Sequence, residues 1–321
     1  MSRKNSKLVI VGVGNVGSAV LNCALSLNLA SEIAVIDIKD KKAYGEALDS
    51  SHALPYSLGS NVNIHSGGFA ECSDADVIII AAGPSILPEE ACKDRLALAG
   101  KNVAVMKEVM TSIVRYTKEA VIIMITNPLD IMVYYAQNFF GYPKNKIFGT
   151  GTTLETARFK SIIANHYGLD PKNVHGYILG EHGNSAFAAW SLVSIAGLPA
   201  GKLDEYFPSD QPLDWNKTAA GVIDIAYDVL NSKGWTNSGI AMAACRIARS
   251  VIFNERSIFP VSTTLEGEYG LTDVALSLPC VVGGEGIRRR LAVPLADDEL
   301  EKLKASATHL KNVLQSVGLT K

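Results

Sequence analysis

Leu8-Val9-Ile10-Val11-Gly12-Val13-Gly14-Asn15-Val16-Gly17, with Asp37 twenty residues further on, is the stretch that decides the fold. Four apolar residues before the glycines read as a buried strand, and Val16–Leu29 after them as a helix. Gly12 permits a tight turn, Gly14 lets the backbone approach a pyrophosphate, and Gly17 lets helix and strand pack closely. The helix N-terminus then stabilises phosphate charge. Asp37 stands at the end of the second strand, where a carboxylate accepts hydrogen bonds from ribose hydroxyls and repels a 2′-phosphate. The cofactor read from these residues is therefore NAD and not NADP, with Lys39 as the one nearby residue against it. Glycines that merely allow packing would give the same letters. The strand before them, the helix after them and the acid in register favour the nucleotide.

The pattern repeats outward from this unit. Ile33–Asp37, Asp76–Ala82 and Val121–Thr126 are short, almost wholly apolar strand candidates. Lys41–Leu54 and Leu96–Tyr116 read as crossover helices between them. Apolar strands alternating with helices predict a parallel sheet covered on both faces. After about residue 147 the pattern becomes mixed. Thr153–Tyr167 and Trp215–Ser232 read as helices, and Val174–Leu179, Ser257–Thr263 and Val274–Val282 as strands. Asp297 is placed to cap a last helix with Leu300, Leu303 and Leu310 on one face. The expected fold is α/β: a Rossmann-type doubly wound parallel sheet over 1–147, followed by an α+β catalytic domain over 148–321.

Composition narrows the function classes. The 321 residues are 48% hydrophobic and 19% charged, which suits a packed core rather than a disordered chain. Thirty basic against thirty-two acidic residues leave a net charge of −2, against a strongly basic nucleic-acid binder. The five cysteines (Cys23, Cys72, Cys92, Cys245, Cys280) form no CxxC spacing, so no metal site and no disulfide framework is expected, in keeping with the cytoplasm. No apolar run is long enough to span a membrane. The basic start before Leu8 has the look of a signal peptide, but Gly12, Gly14 and Asn15 interrupt the apolar run, and a first buried strand is the preferred reading.

A second segment carries chemistry. Gly180-Glu181-His182-Gly183-Asn184-Ser185 places a histidine among glycines and polar residues after a strand, as acid–base work requires. A solvent-exposed turn histidine would look the same in isolation. Three further segments occur in order with it: Asp94-Arg95-Leu96, Thr126-Asn127-Pro128-Leu129-Asp130, and Gly149-Thr150-Gly151-Thr152-Thr153-Leu154-Glu155-Thr156-Ala157-Arg158. Together with the glycine loop they resemble the L-lactate/malate dehydrogenase family, lactate dehydrogenase branch, over essentially the whole chain.

The resemblance implies hydride transfer between a nicotinamide and C2 of a small 2-oxo or L-2-hydroxy acid. It assigns proton transfer to His182, carbonyl polarisation to Arg95 and the substrate carboxylate to the planar fork of Arg158. Asn127 falls beside the nicotinamide and the reacting carbonyl, Thr236 beside the substrate, and Ile240 against the nicotinamide. Gly12, Gly14, Asn15, Val16, Gly17, Asp37 and Gly83 fall at the cofactor. A homo-oligomer, dimer or tetramer, is also implied, with no nucleic-acid or membrane partner.

Two departures matter. Glu155 stands where the family pattern has aspartate, the residue that orients the histidine. Glutamate can serve if one extra methylene is absorbed, but Thr152 and Glu155 also fit a capping box, and both readings stand. The loop from Gly83 to Arg95 is about three residues longer than in ordinary members, and it carries Ile86 and Leu87 where the substrate side chain is read. With no cation there, a second carboxylate would go unpaired, which disfavours malate. This loop resembles that of L-2-hydroxyisocaproate dehydrogenases, so the expected substrate is pyruvate or, favoured by the loop, a 2-oxo acid with a larger apolar side chain. Lys160 and His175 match the positions through which allosteric bacterial members bind fructose 1,6-bisphosphate. The competing classes are an NAD-dependent glycosidase of similar architecture and a non-catalytic NAD-binding protein.

Overall fold

The computed structural model describes residues 6–57, 59–84 and 95–319, the side chains of 95–99 excepted. The first half runs β1 (Lys7–Val11), α1 (Asn15–Ser26), β2 (Glu32–Ile36), α2 (Asp40–Ser51), β3 (Asn63–Ser66), β4 (Val77–Ile80), α3 (Arg95–Ile113), β5 (Val121–Met124), α4 (Leu129–Phe139) and β6 (Ile147–Gly149). Its six strands are parallel in the order β3-β2-β1-β4-β5-β6. Strand order reverses between β1 and β4, and ligands of open α/β sheets bind at the carboxyl ends of the strands there. Alternation along β1 feeds two cores. Val9 and Val11 join α3 and α4 on one face, while Leu8 and Ile10 join α1 and a later helix on the other.

The second half continues with α5 (Thr153–His166), β7 (Val174–His175), β8 (Ile178–Leu179), β9 (Phe187–Ala188), β10 (Ser194–Ile195), β11 (Leu198–Pro199), α6 (Leu203–Tyr206), α7 (Trp215–Lys233), α8 (Ser238–Ile252), β12 (Ser257–Glu266), β13 (Thr272–Gly283), β14 (Gly286–Arg290) and α9 (Asp297–Ser316). The doubly wound sheet and the mixed second half are as expected, but the two share one sheet. β6 pairs parallel with β5 and antiparallel with β12, which extends the sheet through β13 and β14 to nine strands. The boundary expected at 147/148 therefore falls inside a strand.

Other differences are local. The expected strand Val174–Leu179 breaks at Gly176 (φ +156°), and its halves, β7 and β8, join different small sheets. The last helix is capped by Ala296, not Asp297, and Glu299 reaches back to accept from the Ala296 N–H at 3.1 Å. α4 and α8 had no counterpart among the expected helices. Every residue of α4 from Leu129 to Gln137 is buried, so it shows no amphipathic stripe.

Candidate active site

The glycine loop is built by close contacts that only glycine allows. Gly12 has φ +91°, and a Cβ there would lie 2.7 Å from the Ala82 backbone. A Cβ on Gly17 would lie 1.8 Å from the Gly12 carbonyl oxygen. A Cβ on Gly14, by contrast, would point into open space. Gly14 is also the N-cap of α1, with no side chain capping it and no acid in the first turn. The N–H groups of Asn15, Val16 and Gly17 thus head a helix whose positive end faces unfilled room, which suits a pyrophosphate. Asp37 ties the loop to β2, accepting from the Val13 and Lys39 N–H groups, each at 2.9 Å. These residues fit a dinucleotide.

The segment 180–185 is anchored from several elements. Gly180 and Ser277 of β13 exchange backbone hydrogen bonds at 3.1 and 2.8 Å. The Glu181 N–H donates to Ser306 Oγ of α9 at 2.9 Å. The His182 N–H donates to Asp130 Oδ2 of α4 at 2.7 Å, and Asp130 Oδ1 accepts from the Ser262 hydroxyl of β12. Burial lifts the Asp130 carboxyl to about 7, against the opposing pull of Ser262 and His182. Asp130 stands in the Thr126–Asp130 segment, but nothing in that segment by itself assigns it this role. The signal is an acid in the first turn of a largely apolar helix, since a buried carboxylate must find donors.

Helix α5 brings the charges. A Cβ on Gly151 (φ +55°) would lie 2.4 Å from the Pro260 carbonyl, so the helix starts pressed against β12. Thr152 and Thr156 then bracket Ile178 of β8. The Thr152 hydroxyl donates to its carbonyl at 2.5 Å, and Thr156 Oγ1 accepts from its N–H at 3.0 Å. This fixes α5 against the strand that leads into His182. Because the Thr152 hydroxyl is engaged there, no Thr152–Glu155 capping box forms. Glu155 Oε1 instead lies 2.6 Å from His182 Nδ1. The ring N–H is not aimed at that oxygen, so the contact is an ion pair rather than an aligned hydrogen bond.

The electrostatics follow from this pair. Burial alone would lower the His182 pKa. The Glu155 carboxylate, helped by Asp130, overrides it and carries the imidazole from 6.5 to about 9. Burial would raise the Glu155 carboxyl, but the imidazolium holds it below its ordinary value. Arg158, one turn from Glu155, is half-buried with no ion-pair partner among the described residues, and burial lowers its pKa despite the field of Glu155. A charged proton donor and an unengaged guanidinium in one electrostatic neighbourhood can bind and protonate an anionic carbonyl compound.

Other expected residues are placed as follows. Asn127 is exposed at the head of α4 after β5, and its carbonyl accepts from the buried Asn102 side chain at 2.7 Å. Gly83 (φ +145°) leaves β4 beside Asn102, where a Cβ would lie 2.5 Å from Asn102 Oδ1. Thr236 is half-buried between α7 and α8, and Ile240 is buried in the first turn of α8. Lys160 is half-buried on α5, and His175 is exposed on β7. Arg95 opens α3, but its side chain, like Ile86 and Leu87, lies outside the described residues. The one grouping of metal-ligand type among the described residues, Glu32, His65 and Glu71, already holds the Lys7 ammonium, at 3.0 Å from Glu32 and 2.8 Å from Glu71.

Residues 6–149 match the model of the lactate/malate dehydrogenase NAD-binding domain, and 152–318 that of the alpha/beta C-terminal domain. The chain belongs to the lactate/malate dehydrogenase family. It is 50% identical to L-lactate dehydrogenase 2 of Clostridium acetobutylicum over 321 residues, all of both chains. It is 51% identical to the L-lactate dehydrogenase of Selenomonas ruminantium over 313 residues, 98% of each. The crystal structure of a lactate dehydrogenase from a Medee basin deep-sea metagenome library superposes with a TM-score of 0.93 at 31% identity, covering 98% of this chain and 99% of that one. The minor L-lactate dehydrogenase of Enterococcus mundtii, in ligand-bound form, gives 0.91 at 35% identity over the same shares. As a family member with these relatives, the chain is an NAD-dependent oxidoreductase acting on CH–OH groups, which sets aside the glycosidase and non-catalytic readings. No helix among the described residues is long and apolar enough to cross a membrane.

Proposed function

We propose that the chain interconverts pyruvate and L-lactate, with His182 as the proton donor and acceptor. The observation that carries this reading is the His182–Glu155 ion pair beside the unengaged Arg158 guanidinium. Bound NADH supplies the hydride to C2. The imidazolium of His182 gives its proton to the carbonyl oxygen as charge develops there, and Glu155 stabilises the charged ring beforehand. Arg158 takes the substrate carboxylate by two parallel hydrogen bonds, and Arg95 polarises the carbonyl from the start of α3. Asn127, Thr236 and Ile240 complete the pocket, and the working unit is a homo-oligomer. Names of the relatives support lactate and give no support to a larger side chain. That narrower preference rests on Ile86, Leu87 and the longer loop that carries them.

The test is NADH oxidation with pyruvate, 2-oxobutyrate, 2-oxoisocaproate, phenylpyruvate and oxaloacetate, compared by kcat/KM. Pyruvate is expected to be turned over to the L isomer, and oxaloacetate poorly. A higher ratio for 2-oxoisocaproate or phenylpyruvate would establish reading of the side chain by Ile86 and Leu87. NADH binding with turnover of none of the five would overturn the proposal. Saturation curves with and without fructose 1,6-bisphosphate test control through Lys160 and His175.

A further inference from the structure

We infer that Ser306, on the C-terminal helix α9, is a positioning residue for His182 because it closes a ring of hydrogen bonds that sets the main chain of the catalytic loop. Ser185 Oγ lies 2.6 Å from Glu181 Oε2, and an ionised carboxylate can only accept, so the Ser185 proton is committed there. Ser185 Oγ also lies 2.9 Å from Ser306 Oγ. With one proton per hydroxyl, Ser306 must be the donor in that contact. Its oxygen in turn accepts the Glu181 N–H at 2.9 Å. The direction of every bond is thereby fixed. The ring leaves Glu181 by its backbone N–H, passes through Ser306 and Ser185, and returns to the Glu181 carboxylate.

Ser306 is fully buried, and no other acceptor serves the Glu181 N–H among the described residues. The loop backbone rests directly on it, since a Cβ on Gly180 would come within 3.1 Å of Ser306 Oγ. Two successive N–H groups, those of Glu181 and His182, are therefore held by two different helices, through Ser306 of α9 and Asp130 of α4. Asp130 fixes the His182 amide, while the preceding peptide is held at its Gly180 carbonyl by the Ser277 N–H at 2.8 Å and at its Glu181 N–H by Ser306. Ser306 thus completes the support of the segment that leads into His182, and the position of an acid–base group matters at the scale of a fraction of an ångström. The hydroxyls polarise one another around the ring, so loss of one member weakens the rest.

The experiment compares Ser306→Ala, Ser306→Thr, Ser185→Ala and the double alanine variant in the full-length protein. The core contacts of Leu303, Ala307 and Leu310 keep α9 docked in each. In Ser306→Ala, kcat for pyruvate reduction is expected to fall about tenfold. The Kd for NADH should stay unchanged, and the kcat/KM limb belonging to His182 should move to lower pH. Ser306→Thr, which keeps the hydroxyl, should restore both. Ser185→Ala should show a smaller loss, and the double variant should be no slower than Ser306→Ala, because both break one ring. An unchanged kcat and pH profile in Ser306→Ala, or losses that add in the double variant, would overturn the inference. If Ser306→Ala does not fold, full activity in Ser185→Ala overturns it as well. The inference rests on His182 as proton donor. A parent chain that binds NADH but reduces no 2-oxo acid defeats that reading, whereas an active parent with an equally active Ser306→Ala defeats only this one.

Discussion

Replacing Glu155 by glutamine removes the charge that holds His182 protonated and leaves the side-chain size unchanged. In the parent, the imidazole stands at about 9 instead of 6.5, because the carboxylate outweighs burial. That rise corresponds to about 3 kcal/mol of preference for the imidazolium. In Glu155→Gln, burial, the largest influence, and Arg158 press the pKa down against the weaker pull of Asp130, so the ring should titrate at or below about 6.5. At about pH 7.5 the parent ring is almost wholly protonated and the variant ring only to about a tenth. Pyruvate reduction, which needs the proton, should then fall about tenfold or more, and recover as the pH is lowered. Lactate oxidation needs the neutral ring, so its limb should move to lower pH with no loss from protonation. The assay is kcat/KM for NADH-dependent reduction from about pH 5.5 to about pH 10 in both proteins. A variant limb that coincides with the parent limb would refute the reasoning. The same pair acts on stability. Its contribution is complete below the unfolded imidazole pKa near 6.5 and is lost as pH rises through about 9. Melting temperatures of parent and variant should therefore differ most at the acid end of that window and converge above it.

Further outcomes separate folding from function. Gly14→Ala should keep the parent melting temperature and weaken NADH binding, because its Cβ enters the open space at the head of α1, whereas Gly17→Ala should lower the melting temperature sharply, with its Cβ 1.8 Å from the Gly12 carbonyl. Calorimetry and NADH fluorescence distinguish the two. Arg158→Leu should raise KM for pyruvate about a hundredfold, as two charge-assisted hydrogen bonds are lost, with the Kd for NADH unchanged. Asp130→Ala leaves the His182 N–H and the Ser262 hydroxyl without an acceptor and should cost about 2–4 kcal/mol in urea unfolding.

The nucleotide half was legible because its signals are local. β1, the glycine loop, α1 and Asp37 lie within one short stretch, and each apolar strand announces itself by composition. Elements that lacked a local signature were harder to see. β3 is a polar edge strand, Asn63-Ile64-His65-Ser66, and β14 is Gly286-Ile287-Arg288-Arg289-Arg290, a strand only because β13 supplies its partner. α4 is too buried to carry a polar stripe, whereas α8 does expose Ser238, Met242, Arg246 and Arg249 along one face. At the site, His182, Glu155 and Arg158 stand in segments that the sequence singles out, and the structure brings His182 and Glu155 to 2.6 Å. The supports of the loop were not legible, because Asp130, Ser262, Ser277 and Ser306 come from four separate elements and meet only in the folded chain. The choice between cap and ion pair for Glu155 also needed the structure, since it turns on where the Thr152 hydroxyl goes.

The unbroken nine-stranded sheet bears on how this protein can be cut. Residues 147–149 pair with β5, and Gly149 also pairs with Ser262 of β12. Severing the chain there would not release two finished modules. It would bare a largely buried strand edge on each piece, since β5 is wholly buried and β12 is buried from Phe259 to Leu265. Open edges of that kind recruit other chains. Fragments made at this junction should be insoluble when expressed singly and soluble when expressed together, so fusion partners and affinity tags belong away from it.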